Sequence, residues 1–178
     1  MDYRLSVATL QHITVIEELI PKSVRALSVG FYTSQQIEGA LEEAWGLDTQ
    51  LISDGTYFVI HADQALVACG GWSFRKTLFG NDSAGFRDDQ IIDTSGGAAK
   101  IRAFFVDPDH ARRGLGSMLM AACEDAARAK GYSSLELMAT LPGQKFYERH
   151  GFIAMTPVDH PLSGALSIRF VPMRRNGI

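Results

Sequence analysis

The chain has 178 residues, 46% of them hydrophobic and 21% charged, and a formal net charge of −3. That is enough for one domain with a sizeable core, expected over residues 1–178. The acidic balance carries no basic footprint for a nucleic-acid partner, and no apolar run is long enough to predict a membrane span.

The first twenty residues lack a basic stretch ahead of a continuous apolar run, so a cytoplasmic protein is expected. Cys69 and Cys123 read as reduced core thiols, and neither the cysteines nor the histidines have metal-ligand spacing.

In chain order, YRLSVA alternates as a first strand. Leu10, Ile13, Ile16, Leu19 and Ile20 then repeat at helical spacing after Thr9, a cap residue, with Pro21 expected to end or kink the helix. A second helix follows Thr33–Ser34, buries Ile37, Leu41 and Trp45, and stops at Gly46. TYFVIHADQALVACGGWSF reads as a β-hairpin around the polar ADQ. Residues 75–100, rich in Gly, Asp and Ser, form a long loop, either a surface insertion or a flap over an acceptor substrate. KIRAFFVDP is a strand ended by proline. The helix after it carries Leu115, Met118, Leu119, Ala122 and Ala126 as an apolar stripe and ends at Gly131. SSLELMA, GQKFYERHG, FIAM and ALSIRFVPM read as strand, short helix and two closing strands. The order is that of an α/β (α+β) chain with one sheet.

The corner HARRGLGS concentrates the chemistry. The first turn of a helix has amides without intrahelical partners, and the helix dipole adds partial positive charge there. Such a corner binds phosphate. Gly114 and Gly116 let an anion reach the backbone, Arg112 and Arg113 add cationic field, and Ser117 offers a hydroxyl. Neither phosphate fingerprint fits: there is no G-x-x-x-x-G-K-[ST], and Leu119 stands where G-x-G-x-x-G needs its third glycine.

VDPDHARRGLGSMLM resembles the pyrophosphate-binding motif of the GCN5-related N-acetyltransferases (GNAT family), and LMATLPGQKFYERHGF resembles that family's later strand, loop and helix. Together they cover Ile101 to Phe152 in the family's order. Ala111 departs from the leading Gln or Arg of the consensus. The resemblance implies a mixed central sheet, flanked by helices, in which two parallel strands splay apart around the arm of acetyl-coenzyme A. Carried over, those strands are 100–106 and 134–139. Backbone groups near Phe105 and Val106 would hold the pantetheine, and the backbone of Arg112, Arg113, Gly114, Leu115, Gly116 and Ser117 the pyrophosphate. Thr140 falls where many members carry Asn, and reads either as a hydrogen-bonding partner of cofactor or substrate or as a loop cap.

The implied activity is direct acetyl transfer, in a ternary complex, to a primary amine of a small molecule or a peptide. The alternative on the same scaffold is a non-catalytic acyl-coenzyme A sensor. Tyr147 matches the tyrosine near the cofactor sulfur, so it is both a cofactor-binding residue and the expected acid for the departing thiolate. Some relatives carry a glutamate where this chain has Lys100. For the acceptor, Trp72 reads as a pocket wall or core packing, and Arg102 as an acceptor ligand or a partner of the acidic loop. The apolar C-terminal strands and the family analogy allow a homodimer.

Overall fold

Period-two burial along the hairpin divides the molecule. In the computed structural model, which describes residues 2–85 and 87–178, β1 is Tyr3–Val7, β2 Tyr57–Ala62 and β3 Ala65–Ser73. Phe58, Ile60 and Ala62 of β2 face one core while Tyr57 and Val59 face another. Both sides of this strand are buried, which explains its nearly continuous apolar run. Asp63 adopts φ 53° at the hairpin turn.

The second core is roofed by α1 (Ile13–Leu27), α2 (Ser34–Glu43) and α3 (Thr49–Ser53). Pro21 does not end α1, which continues through it to Leu27. The continuation is favoured by Ile16, Leu19, Ile20 and Val24, whose burial on one face outweighs the hydrogen bond a proline removes. At α2 the Gln36 amide donates to Thr33 Oγ1 at 3.2 Å, and Thr33 N–H donates back to Gln36 Oε1 at 3.0 Å.

The first core packs under α4 (Leu115–Ala129), whose buried face is Leu115, Leu119, Met120, Cys123 and Ala127. Met118, Ala122 and Ala126 of the expected stripe flank that face, partly buried. Both cysteines are buried and unbridged.

The remaining strands are β4 (Ala99–Val106), β5 (Ser134–Thr140), β6 (Ile153–Ala154), β7 (Val158–Pro161) and β8 (Ser167–Asn176), with α5 (Gln144–Arg149) between β5 and β6. The sheet runs β1-β2-β3-β4-β5-β8-β6, with β7 also paired to β8. All pairings are antiparallel except that of β4 and β5. It is an eight-stranded mixed sheet with helices on both faces. The short α3 and β7 are elements the sequence did not announce.

Candidate active site

The parallel pair is incomplete. Strands β4 and β5 are bonded only at Ala99–Leu135 and Lys100–Glu136. Beyond that, β4 stays on β3 and β5 stays on β8, so a wedge opens between them. Its apex is closed by the Lys100–Glu136 ion pair, and Arg174 donates to the same carboxylate at 2.7 Å.

Along the wedge, β4 carries a bulge. Residues 103 and 104 together oppose Gly70, because the register passes from Gly71↔Arg102 to Cys69↔Phe105. Ala103 takes φ 54°, a left-handed conformation costly for a residue with a Cβ. The extra residue breaks the period of two. Arg102 therefore does not share a face with Phe104 and Val106. It lies on the α1–α3 side, where Nη2 donates to Asp48 Oδ2 at 2.8 Å and Nη1 to the Thr77 carbonyl at 3.1 Å. Of the two readings of Arg102, the structure supports pairing within the protein.

The bulge also corrects the expectation for Phe105. Its amide donates to Cys69 Sγ, and the Asp107 amide to the Val67 carbonyl at 2.8 Å, so both residues face β3. Backbone groups alternate between strand edges, which leaves those of Phe104 and the Val106 carbonyl for the wedge. The Val106 amide is bonded to Ser23 Oγ of α1 at 3.1 Å. Phe104, which the sequence did not single out, thus supplies the wedge edge.

At the wide end of the wedge the chain turns into α4. Asp107 is the turn residue, accepting from the Asp109 amide at 2.9 Å and from Lys22 Nζ at 2.8 Å. Arg112 (φ 62°) and Gly114 (φ 84°) are both left-handed, the conformation that backbone nests use to turn successive amides inward. The first intrahelical bond runs from the Met118 amide to the Gly114 carbonyl at 3.0 Å. The amides of Leu115, Gly116 and Ser117 have no intrahelical acceptor, and Gly114 has no side chain to cap them. Open space lies where a Gly114 Cβ would project, whereas a Gly116 Cβ would come within 3.1 Å of the Phe146 ring. Arg112, Arg113 and Ser117 are exposed at this mouth.

Helix α5 packs against β5 and β6, with Phe146 beside this corner. The Tyr147 ring lies 6.4 Å from that of Phe104 and 5.0 Å from that of Phe146. Burial pushes its phenol well above the ordinary value, and the neighbouring Cys123 thiol adds to the rise. Thr140 Oγ1 accepts from the Gly143 amide at 3.3 Å, so it caps the turn into α5. His150, which the sequence did not single out, ends α5 with Nε2 3.0 Å from Ser117 Oγ, beside the N-terminus of α4. Burial lowers its pKa, which keeps the imidazole neutral near pH 7. The signal for it was its place in FYERHGF, next to the helix stop.

The 75–100 segment ends at Ala98, because β4 begins at Ala99, and Phe86 within it lies outside the described residues. It folds back on itself through Lys76 N–H to the Gln90 carbonyl and Thr77 N–H to the Asp88 carbonyl, both 2.9 Å. Arg75 donates twice to Asp54 at 2.7 Å, and Arg87 meets Asp48 at 3.0 Å. These contacts seat Phe79 against Phe170 and His160 on the α1–α3 face. A cleft there is lined by Glu42, Glu43, Ala84 and His160. Trp72 is buried against Phe74 and Tyr132, hence core packing.

Residues 22–152 match the model of the Acetyltransferase (GNAT) family. A search among curated protein sequences finds no match. Among solved structures the chain resembles a GCN5-related N-acetyltransferase from Rhodopseudomonas palustris, with TM-score 0.73, 16% identity, and 99% of this chain and 96% of that one covered. It also resembles the PaiA N-acetyltransferase of Thermoplasma acidophilum in complex with coenzyme A, with TM-score 0.67, 15% identity and 99% of each chain covered. The ribosomal-protein-S18-alanine N-acetyltransferase of Escherichia coli gives TM-score 0.59 at 15% identity over 98% of this chain and 94% of that one.

Proposed function

Since the chain belongs to the GNAT acetyltransferase family, we propose that it moves an acetyl group from acetyl-coenzyme A to a primary amine of a small molecule or a protein, both bound together. The observation that carries this reading is the wedge between β4 and β5, which ends at a helix N-terminus with open backbone amides. A long cofactor with a peptide-like arm and a pyrophosphate suits both parts. The arm finds an unpaired strand edge, and the phosphates find amides free of any obstructing Cβ.

In this reading the backbone from Arg112 to Ser117 holds the pyrophosphate, with the two arginines adding charge at the mouth. The wedge edge at Phe104 and Val106 lines the arm. When bound, the coenzyme supplies a thioester whose C–S bond is exchanged for a C–N bond. The Phe104 amide polarises the acyl oxygen, and Tyr147, kept protonated by burial, returns a proton to the departing sulfur. The acceptor enters as a neutral amine from the α1–α3 face, past Phe79, and gives its proton to solvent. No protein nucleophile is needed, because the gain comes from holding two substrates in register.

The test follows free thiol release from acetyl-coenzyme A across amines, amino acids, polyamines and peptides, with calorimetry for coenzyme binding. Binding and an acceptor-dependent rate are expected. Tight binding without thiol release for any acceptor would favour the acyl-coenzyme A sensor, and absence of binding heat would remove both readings.

A further inference from the structure

Beneath the bulge lies a buried arrangement that transfer chemistry has not yet used. Tyr57 is fully buried in β2, and its hydroxyl donates to the Ala103 carbonyl at 2.9 Å, with Cys69 Sγ 3.3 Å away. The Cys69 sulfur in turn accepts the Phe105 amide. The two peptide groups flanking Phe104 are therefore each held from the β3 side, one at the carbonyl of residue 103 and the other at the amide of residue 105. In a trans peptide the N–H points opposite to the C=O. Anchoring the Ala103 carbonyl toward Tyr57 aims the Phe104 N–H away from β3, into the wedge.

The neighbouring strand is shaped to permit this. A Cβ on Gly71 would come within 2.7 Å of the Tyr57 ring, and one on Gly70 within 2.4 Å of the Phe104 ring. The Gly70–Gly71 pair clears one face for the tyrosine and the other for the phenylalanine. Left-handed φ at Ala103 persists only where the surroundings hold it, and Tyr57 is the group that bonds its carbonyl.

We propose that Tyr57 is a positioning residue for acetyl transfer: its hydroxyl, through the Ala103 carbonyl, fixes the Phe104 amide as the donor to the acyl oxygen. The inference rests on the proposed use of the wedge by acetyl-coenzyme A. It separates the hydroxyl of Tyr57 from its ring, which belongs to the core. Cys69 serves the same arrangement, since its sulfur accepts the Phe105 amide and lies 3.3 Å from the Tyr57 hydroxyl.

The experiment compares wild type with Tyr57→Phe, which keeps the ring, and with Cys69→Ala. Three readouts are taken: the 15N–1H resonance of the Phe104 amide in the free protein, the carbonyl stretch of bound acetyl-coenzyme A labelled at the acyl carbon, and steady-state kinetics. In wild type the bound carbonyl should absorb at lower wavenumber than in water. In Tyr57→Phe the Phe104 resonance should move, the carbonyl should return toward its solution frequency, and kcat should fall about tenfold or more, with KM for acetyl-coenzyme A within about twofold. Cys69→Ala should move the same readouts less. A folded Tyr57→Phe protein with unchanged carbonyl frequency and kcat would overturn the role of the hydroxyl. A wild-type carbonyl that is not shifted would instead overturn the Phe104 donor itself.

Discussion

At Tyr147 the surroundings decide the protonation state before any substrate arrives. A free phenol titrates near 10, and burial raises this one further, with the Cys123 thiol adding to the shift. The sign follows directly: a raised pKa keeps the group protonated to higher pH, so its capacity to donate is flat from pH 7 to about 10. Tyr147→Phe should lower kcat by about a hundredfold while coenzyme affinity changes by about twofold at most. Wild type should show no loss of kcat below pH 10 that the variant lacks, and a tyrosine-dependent basic limb near pH 9 would contradict the raised pKa. Tyr147, Gly114 and Gly116 were legible because short motifs name them. Phe104 was not. Strict alternation along β4 would put Arg102 on its face, and one extra residue at 103 shifts every position before it. The only local sign was Gly70–Gly71 in the facing strand, where glycine weakens a strand unless something approaches closely.

Elements show a second limit of the same kind. Residues 75–98 have no periodicity, yet they are seated by ion pairs with Asp54 on one side and Asp48 on the other. Asp48 is the key position: it caps α3 through the Gln50 amide at 3.1 Å and accepts from both Arg87 and Arg102. The Arg102 and Asp48 side chains are only 2% and 1% exposed. Burial pulls the Arg102 pKa down, and the nearby carboxylate opposes it. Removing one partner leaves an unpaired buried charge, so Asp48→Ala should cost about 3–5 kcal/mol. For a chain of this size that lowers the unfolding midpoint by roughly 10 °C. Pairing Asp48→Leu with Arg102→Met should recover a good part of the loss, because a buried ion pair is rarely better than apolar packing of similar volume. If Asp48→Ala melts within about 2 °C of wild type, a difference under one kcal/mol for a chain of this size, the network contributes no such stability. These contacts join residues distant in sequence, and composition alone could not announce them.

For the molecule as a whole, the order of helices and strands foretold one sheet, and the family resemblance carried by the two motifs implied that it is mixed, flanked by helices and split by a splayed pair. The motif-bearing half read more clearly than the acceptor side, which depends on long-range packing among α1, α2, residues 75–98 and β7. The wedge lies near the middle of the sheet, between strands held by β3 and β8, so a ligand there touches elements from both cores. Any ligand that binds only the folded state stabilises it in proportion to occupancy, by about 2.7 kcal/mol at a hundredfold excess over Kd. Acetyl-coenzyme A at that excess should raise the midpoint by roughly 5–10 °C. Net charge cannot supply this binding, since protein and coenzyme are both anionic, and the local amides and arginines must do it. Gly114→Glu should therefore abolish the thermal shift. Its left-handed φ means that any side chain there adds strain of about 1–2 kcal/mol, so Gly114→Ala is the necessary companion. The alanine variant should melt earlier yet keep most of the coenzyme-induced rise, because a methyl group meets open space at that corner. The glutamate variant should melt similarly early and show no rise, because it places negative charge where the pyrophosphate belongs. A full coenzyme shift in Gly114→Glu would remove the phosphate from this corner and leave the helix terminus as an ordinary turn.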